Sequence, residues 1–375
     1  MRRLFSHYPP DRLWALTSRQ SMRGLASYDP VPLPQRQVSV REIQIHRRWI
    51  GILALLLNYM LIPWTVWRGV QLVRTQRVEA IFTVPWDHFT IAAYFLHKIT
   101  SLPLYVYVMD DHLGARRRRF LRPLLYSLLM PVVMRSARRV WGVSDEMCEY
   151  LNRMYNADCR PLLPFVDLSI FRSNNVETSQ VASVLNIVFT GAIYSGQADS
   201  VRRLVHVLDQ EPQFNASQPL NMHLTLYTMM SEEALSRMGM LGNNVSSGRV
   251  TNESIPDVLS KANIAFVPIS FDPAMRHFAE TSFPTKIAEY VASGVPILAH
   301  VPPYSTVARY CREHGCGLVV DEPNEESLRD ALILLRTDAT LRTNLSMRAL
   351  EAARRKHDAA RIAPAFLQQL ISTGT

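Results

Sequence analysis

The sequence has no paired cysteines. Cys148, Cys159, Cys311 and Cys316 are scattered over 375 residues without a C-x-x-C, which argues against a disulfide scaffold or thiolate metal framework and fits a reducing compartment. A secretory leader is not expected, because Met1, Arg2 and Arg3 are followed by "LFSHYPP", too short and too polar for an apolar core segment. A spanning run is also missing: the most apolar stretch, "IGILALLLNYMLIP" at 50–63, falls well short of the ~20 residues that cross a bilayer. No Asp/His cluster offers a metal site. No G-x-G-x-x-G follows a strand, and "GCGLVV" at 315–320 precedes one instead, which weighs against a nicotinamide-dependent enzyme. The basic residues lack the aromatic interleaving of a nucleic-acid groove, and no nucleic-acid partner is expected.

The length is too great for one typical core and suits two domains. With 48% hydrophobic and 19% charged residues the chain is globular. The net charge of +9 suits an anionic membrane or a phosphorylated substrate as well as it suits nucleic acid. Two readings stand for 50–63. One is a buried helix. The other is a helix that also touches a membrane, with Trp49, Trp64 and Trp67 and Arg47, Arg48 and Arg68 placed as interfacial anchors.

Short apolar runs alternate with helical patterns, which predicts βαβ units and parallel sheets. Strands are expected at 12–17, 79–84, 104–109 and 139–143, with helices at 47–73, 87–100, 116–137 and 144–155. Residues 162–180, "LLPFVDLSIFRSNNVETSQ", read as a linker. The alternation then restarts, with strands at 186–190, 222–228, 264–268, 296–299 and 317–320 and closing helices at 325–335, 339–356 and 359–371. The fold expected is α/β: two tandem Rossmann-like, doubly wound parallel-sheet domains. The first covers 1–166, a linker 167–183, the second 184–356, and a terminal helix at 357–375 packs back toward the first. A Rossmann half opens with strand, tight Gly-containing turn and helix. The second half does so at "NIVFTGAIYSG", with Gly191 and Gly196. In the first half eleven residues without glycine precede "RLWALT", and 1–8 read as the tail of a helix. The first domain is therefore expected to lack its first strand, through truncation or a misplaced start; a variant first domain is the other reading.

Residues 280–300, "ETSFPTKIAEYVASGVPILAH", carry the chemistry. Pro284 suits a helix start, Thr281 and Ser282 are ready caps, and a helix over 285–293 stops at Gly294. Free N–H groups at 282–286 make an anion site. A lysine in the first turn, Lys286, opposes the helix dipole and makes sense beside a phosphate. Glu289, three residues on, shares its face and can accept from ribose hydroxyls. The plain alternative is an ordinary surface Lys–Glu pair.

The pattern P-x-K-x-x-E-Y-x-A-x-G-x-P (Pro284, Lys286, Glu289, Tyr290, Ala292, Gly294, Pro296) resembles the donor-site motif of GT-B glycosyltransferases, family-four-like, the glycosyl transferases of group 1. Segments in the family's order agree with it: "RVWGVSDEMCEYL" at 139–151, "LLPFVDLSIF" at 162–171, "FTGAIY" at 189–194, "SGRVTNESIPDVLSKANIAFVPI" at 247–269 and "HDAARIAPAFLQQL" at 357–370. The resemblance runs from about Leu102 to the end. It implies a hexosyltransferase-type enzyme that retains anomeric configuration, needs no metal or other cofactor, and serves polysaccharide or glycolipid assembly at the cytoplasmic face of a membrane. It implies a nucleotide-sugar donor, UDP- or GDP-linked, and a glycan or lipid-linked acceptor. Lys286 would contact the diphosphate and Glu289 the ribose, with Ser282, Phe283, Pro284 and Thr285 lining the site. Gly191 would admit the pyrophosphate, and Arg249 and Val250 would line the base. A fixed cation there helps most as charge builds on the leaving diphosphate.

The chain departs from the family in three places. The Arg and Lys usual after the donor-domain glycine are replaced by "AIYSGQ" at 192–197, leaving Arg202 and Arg276 as substitutes. The first acid of the E-x7-E pattern falls on Thr281, one position from Glu280. The histidine often found after the strand at 104–109 is replaced by Met109, then Asp110, Asp111 and His112. These three are the catalytic candidates, since α/β sheets place ligands at strand carboxyl ends; helix capping is the alternative. Arg116–Arg119 reads either as a solvated basic face or as a contact for anionic headgroups. The rival reading of the whole chain is a catalytically impaired remnant that binds nucleotide sugar without turnover.

Overall fold

A computed structural model describes residues 2–5, 8–18, 36–40, 57–85, 87–110, 121–171, 184–214 and 221–371. The chain divides into two compact units, Met1–Leu163 with Arg361–Thr375, and Pro164–Ala360.

The first unit opens with a helical turn, Arg2–Phe5, where no strand stands. Strands β1 (Trp14–Ser18) and β2 (Arg36–Val40) then pair in parallel as a separate sheet. Helix α1 (Ile62–Gln76), strand β3 (Ile81–Thr83), helix α2 (Asp87–Thr100), strand β4 (Leu104–Val108), helix α3 (Leu121–Ser136), strand β5 (Arg139–Gly142), helix α4 (Asp145–Tyr155) and strand β6 (Cys159–Pro161) follow. The second sheet runs β3-β4-β5-β6, all parallel. β4 is buried at every position, as a strand covered on both faces must be. Ser144 caps α4 by accepting from Met147 N–H at 3.0 Å, and Asn156 closes it in the left-handed region. Cys148 and Cys159 lie with sulfurs 2.7 Å apart. All four cysteines are free and buried. The arginine run at 116–119 and most of the apolar run at 50–63 lie outside the described residues.

In the second unit, strand β7 (Leu185–Thr190), helix α5 (Ala198–Phe214), strand β8 (Met222–Tyr227), helix α6 (Glu232–Arg237), strand β9 (Val245–Gly248), helix α7 (Ile255–Leu259) and strand β10 (Ile264–Pro268) come first. Helices α8 (Arg276–Thr281) and α9 (Lys286–Ala292), strand β11 (Ile297–His300), helix α10 (Thr306–His314), strand β12 (Gly317–Val320) and helices α11 (Glu325–Thr337) and α12 (Ala339–Ala352) complete it. The six-stranded sheet is parallel throughout in the order β12-β11-β10-β7-β8-β9. This is the doubly wound order, with its switch point between β7 and β10. Val201, Leu204, Val207 and Leu208 of α5 pack on Leu185, Ile187 and Phe189 of β7, the spacing of one helix face over alternate strand positions. The last helix, α13 (Ala359–Ile371), mostly belongs to the first unit. Its Phe366 packs edge-on against Trp141, Phe5 and Phe82 at 5.0, 5.8 and 6.0 Å, and Tyr105 Oη donates to Leu370 O at 3.3 Å.

Candidate functional site

Ligands of doubly wound sheets bind beyond the carboxyl ends of the strands at the switch point. Gly191 ends β7 there, with φ at +115°, a conformation open chiefly to glycine. A Cβ at this position would stand 3.4 Å from Lys286 Nζ, an ordinary contact distance, so the backbone conformation rather than crowding calls for glycine.

Lys286 begins α9. Its stem keeps partial exposure, but Nζ is sealed from solvent and has no hydrogen-bond partner among the described residues. The ammonium sits over the Phe189 ring, 3.6 Å from its centroid. Burial pulls its pKa down to about 7, against the opposing pull of Glu289. A desolvated ammonium lacking a partner is costly to a fold, and such perturbed groups gather where a ligand supplies the missing charge. Glu289 is itself buried.

Several bonds fix α9. Tyr290 Oη accepts from Thr190 N–H at 2.9 Å and bonds the Thr190 hydroxyl at 3.1 Å, tying α9 to the end of β7. Burial pushes the Tyr290 phenol up, so it stays neutral. At its far end Gly294, at φ +68°, closes the helix: Gly294 N–H donates to Val291 O and Val295 N–H to Tyr290 O. A Cβ there would meet Leu350 at 3.0 Å. Ser282, buried between α8 and α9, donates its N–H to Phe278 O and receives the Thr306 hydroxyl at its carbonyl. Phe283 is buried, Pro284 half-buried and Thr285 exposed. Thr285, rather than Thr281 or Ser282, occupies the cap position, without a side-chain cap bond, and Thr281 donates its hydroxyl to His277 O inside α8. Arg249, exposed, and Val250, half-buried, follow β9.

Neither substitute cation accompanies Lys286 in these contacts. Arg276 pairs with Glu280 at 2.7 Å and lies over the Tyr304 ring. The stem of Arg202 faces the turn at Gly239. In the first unit Asp110 is exposed just past β4. Burial, with the Asp110 charge second, pushes the Tyr107 phenol up. Asp111 and His112 lie outside the described residues. The structure thus gathers Gly191, Lys286 and Glu289 around the end of β7, together with Phe189 and Tyr290. Sequence reasoning gave Phe189 no role, and its apolar strand carries no signal for one. Among the described residues no group of three or more His, Cys, Asp or Glu could hold a metal ion.

Residues 232–353 match the family described as glycosyl transferases group 1. Among solved structures, the chain is similar to a sucrose-phosphate synthase from Thermosynechococcus elongatus (TM-score 0.71, 15% identity, covering 95% of this chain and 97% of that one). It is also similar to HepE from Anabaena in complex with UDP-glucose (TM-score 0.71, 14% identity, 99% and 94% covered). A third likeness is to WaaG, a glycosyltransferase involved in lipopolysaccharide biosynthesis (TM-score 0.63, 14% identity, 96% and 100% covered). No curated protein matches in sequence. The fold is that of the two-domain GT-B glycosyltransferases. Within the second unit, residues 232–353 carry the segment that resembles the glycosyl transferases of group 1.

Proposed function

We propose that the chain moves a hexosyl group from a UDP- or GDP-sugar to a glycan or lipid-linked acceptor in the cytoplasm, with retention of anomeric configuration and without a metal ion. One observation carries this reading. The Lys286 ammonium is sealed, has no hydrogen-bond partner among the described residues, and lies beside Gly191 at the end of β7. A diphosphate oxygen placed there supplies the missing partner, and the ammonium gains most as charge builds on the leaving group. Glu289, on the same helix, would take the ribose hydroxyls; Ser282–Thr285 would line the approach, and Arg249 and Val250 the base. The complex of Anabaena HepE with UDP-glucose supports a UDP-sugar, and the free, buried cysteines support a reducing compartment. Asp110, Asp111 and His112 are proposed to orient the acceptor hydroxyl.

The test is a thermal-shift titration with UDP and with GDP, on the chain and on Lys286→Ala. A ligand of the folded state raises the melting temperature by mass action. The expected result is a rise with one nucleotide that vanishes in Lys286→Ala. A cooperative melt that neither nucleotide moves would sink the reading. A shift without sugar transfer to any acceptor would favour the non-catalytic remnant instead.

A further inference from the structure

The four cysteines are scattered in sequence, yet the fold gathers them in twos, one pair in each unit. In the first unit Cys148, on α4, and Cys159, which opens β6, have their sulfurs in hydrogen-bond contact at 2.7 Å. In the second unit Cys311, on α10, shares a hydrogen bond with Cys316, which precedes β12. Each pair joins a helix to the strand that follows it, and both strands are sheet edges. Close packing brings the first pair together. A Cβ on Gly142, at the end of β5, would stand 2.8 Å from Cys148 Sγ, so the sulfur fills the room that the missing side chain leaves.

The pairs differ in access. Cys311 and Cys316 are fully sealed, whereas Cys148 is 5% and Cys159 7% exposed. β6 is three residues long and has a neighbouring strand, β5, on one side alone. Such an edge opens more readily than a central strand. Its start is held to α4 by the Cys159 N–H, which donates to Asn152 Oδ1 at 2.9 Å, and this bond keeps the two sulfurs facing. From their present separation they need to move by well under an ångström to reach bonding distance. The pair is not a metal centre. Structural zinc takes four ligands, and among the described residues no third His, Cys, Asp or Glu joins these two. In the closed strand the hydrogen bond to Cys148, with burial second, pushes the Cys159 thiol up. It therefore stays protonated and unreactive until β6 opens.

We propose that Cys148 and Cys159 are a redox-modification site, converted by a low-molecular-weight disulfide into a reversible protein disulfide that staples β6 to α4. The Cys159 thiolate, formed in the open strand, attacks one sulfur of the small disulfide and expels a thiolate. The Cys148 thiolate then attacks the Cys159 sulfur of this mixed disulfide and expels the second. The two protons given up by the protein thiols pass to the two departing thiolates. The protein pair loses two electrons and the small disulfide gains them. The second step is the fast one, because Cys148 already stands beside its target. In a reducing compartment such a bond is transient, which suits a sensor rather than a scaffold. None of these residues belongs to the donor site, so the step is independent of nucleotide binding.

The experiment exposes the full, folded chain to oxidised glutathione, blocks the remaining thiols with an alkylating agent, and maps linkages by mass spectrometry of unreduced peptides. The expected result is a bridge between Cys148 and Cys159 that dithiothreitol reverses, with glutathione retained on neither residue. Hydrogen exchange at the amides of Cys159 and Arg160 should slow severalfold in the oxidised chain. Cys159→Ser, whose hydroxyl keeps a polar contact with Cys148, should form no bridge; the linkage map of the unaltered chain decides the matter even where that variant does not fold. Free thiols on both residues after oxidation, a lasting mixed disulfide with glutathione, or exchange at β6 that the bridge leaves unchanged overturns the proposal.

Discussion

Replacing Lys286 with methionine should make the free protein more stable while destroying its affinity for nucleotide. The side chains are similar in length, and methionine sulfur sits well against an aromatic ring such as Phe189. What disappears is the cost of burying an ammonium. Burial lowers the Lys286 pKa from its ordinary 10.5 to about 7, a change worth roughly 5 kcal/mol at its upper limit. The unfolded chain keeps this proton up to about pH 10.5, whereas the folded chain gives it up near 7. Between those values the unfolded state binds more protons, so stability rises with pH. Below about pH 7 the penalty is present in full, and toward pH 10.5 it has gone. For a domain of this size each kcal/mol moves the melting temperature by roughly 2–4 °C. Melting curves across this range, without ligand, should therefore place Lys286→Met above the unaltered chain in acid and neutral buffer. The two should converge as the pH climbs, and UDP or GDP should shift only the unaltered chain. A Lys286→Met protein that melts at or below the unaltered chain at neutral pH would refute the reasoning, because the ammonium would then hold a partner worth more than its desolvation.

Other consequences follow from the same contacts. Nucleotide affinity should decline by about tenfold per pH unit above the lysine's pKa near 7, with calorimetry detecting a proton taken up on binding. Gly191→Ala should cost about 1–3 kcal/mol through backbone strain at positive φ, read from melting curves without ligand. Tyr290→Phe should cost about 1–3 kcal/mol, since it strands the buried Thr190 N–H, and chemical denaturation would measure the loss. Asp110→Ala should abolish sugar transfer while nucleotide binding stays intact; unimpaired turnover would remove Asp110 from the chemistry.

The second unit was legible in the sequence because its strands are buried runs. Residues 264–268 and 317–320 read as strands and are strands, and Gly294 ends its helix as expected. The strands that escaped notice are β2 and β6. β6 is a sheet edge and β2 belongs to a two-stranded pair, so little burial imprints an apolar pattern on them. Pro161 in β6 is tolerated for the same reason, since an edge leaves one side of the ladder unpaired. At the candidate site, the motif pointed to Lys286 and Glu289, which lie on one helix. It could not disclose that Nζ lies over Phe189 or that Tyr290 anchors Thr190, because those contacts join residues about a hundred positions apart. The cap position falls on Thr285 rather than on Thr281 or Ser282, and α8 runs up to Thr281 and uses its hydroxyl internally.

The aromatic cluster of the first unit sets an order of assembly. Phe5, Phe82 and Trp141 leave the ribosome early, yet the ring that fits among them, Phe366, comes after the whole of the second unit has been made. Domains generally fold as units, the earlier one first during synthesis. Here the sequence of events is inverted. The second unit has every residue of its core to hand before the first can close, and the unit that emerges first must keep an apolar opening until the last helix arrives.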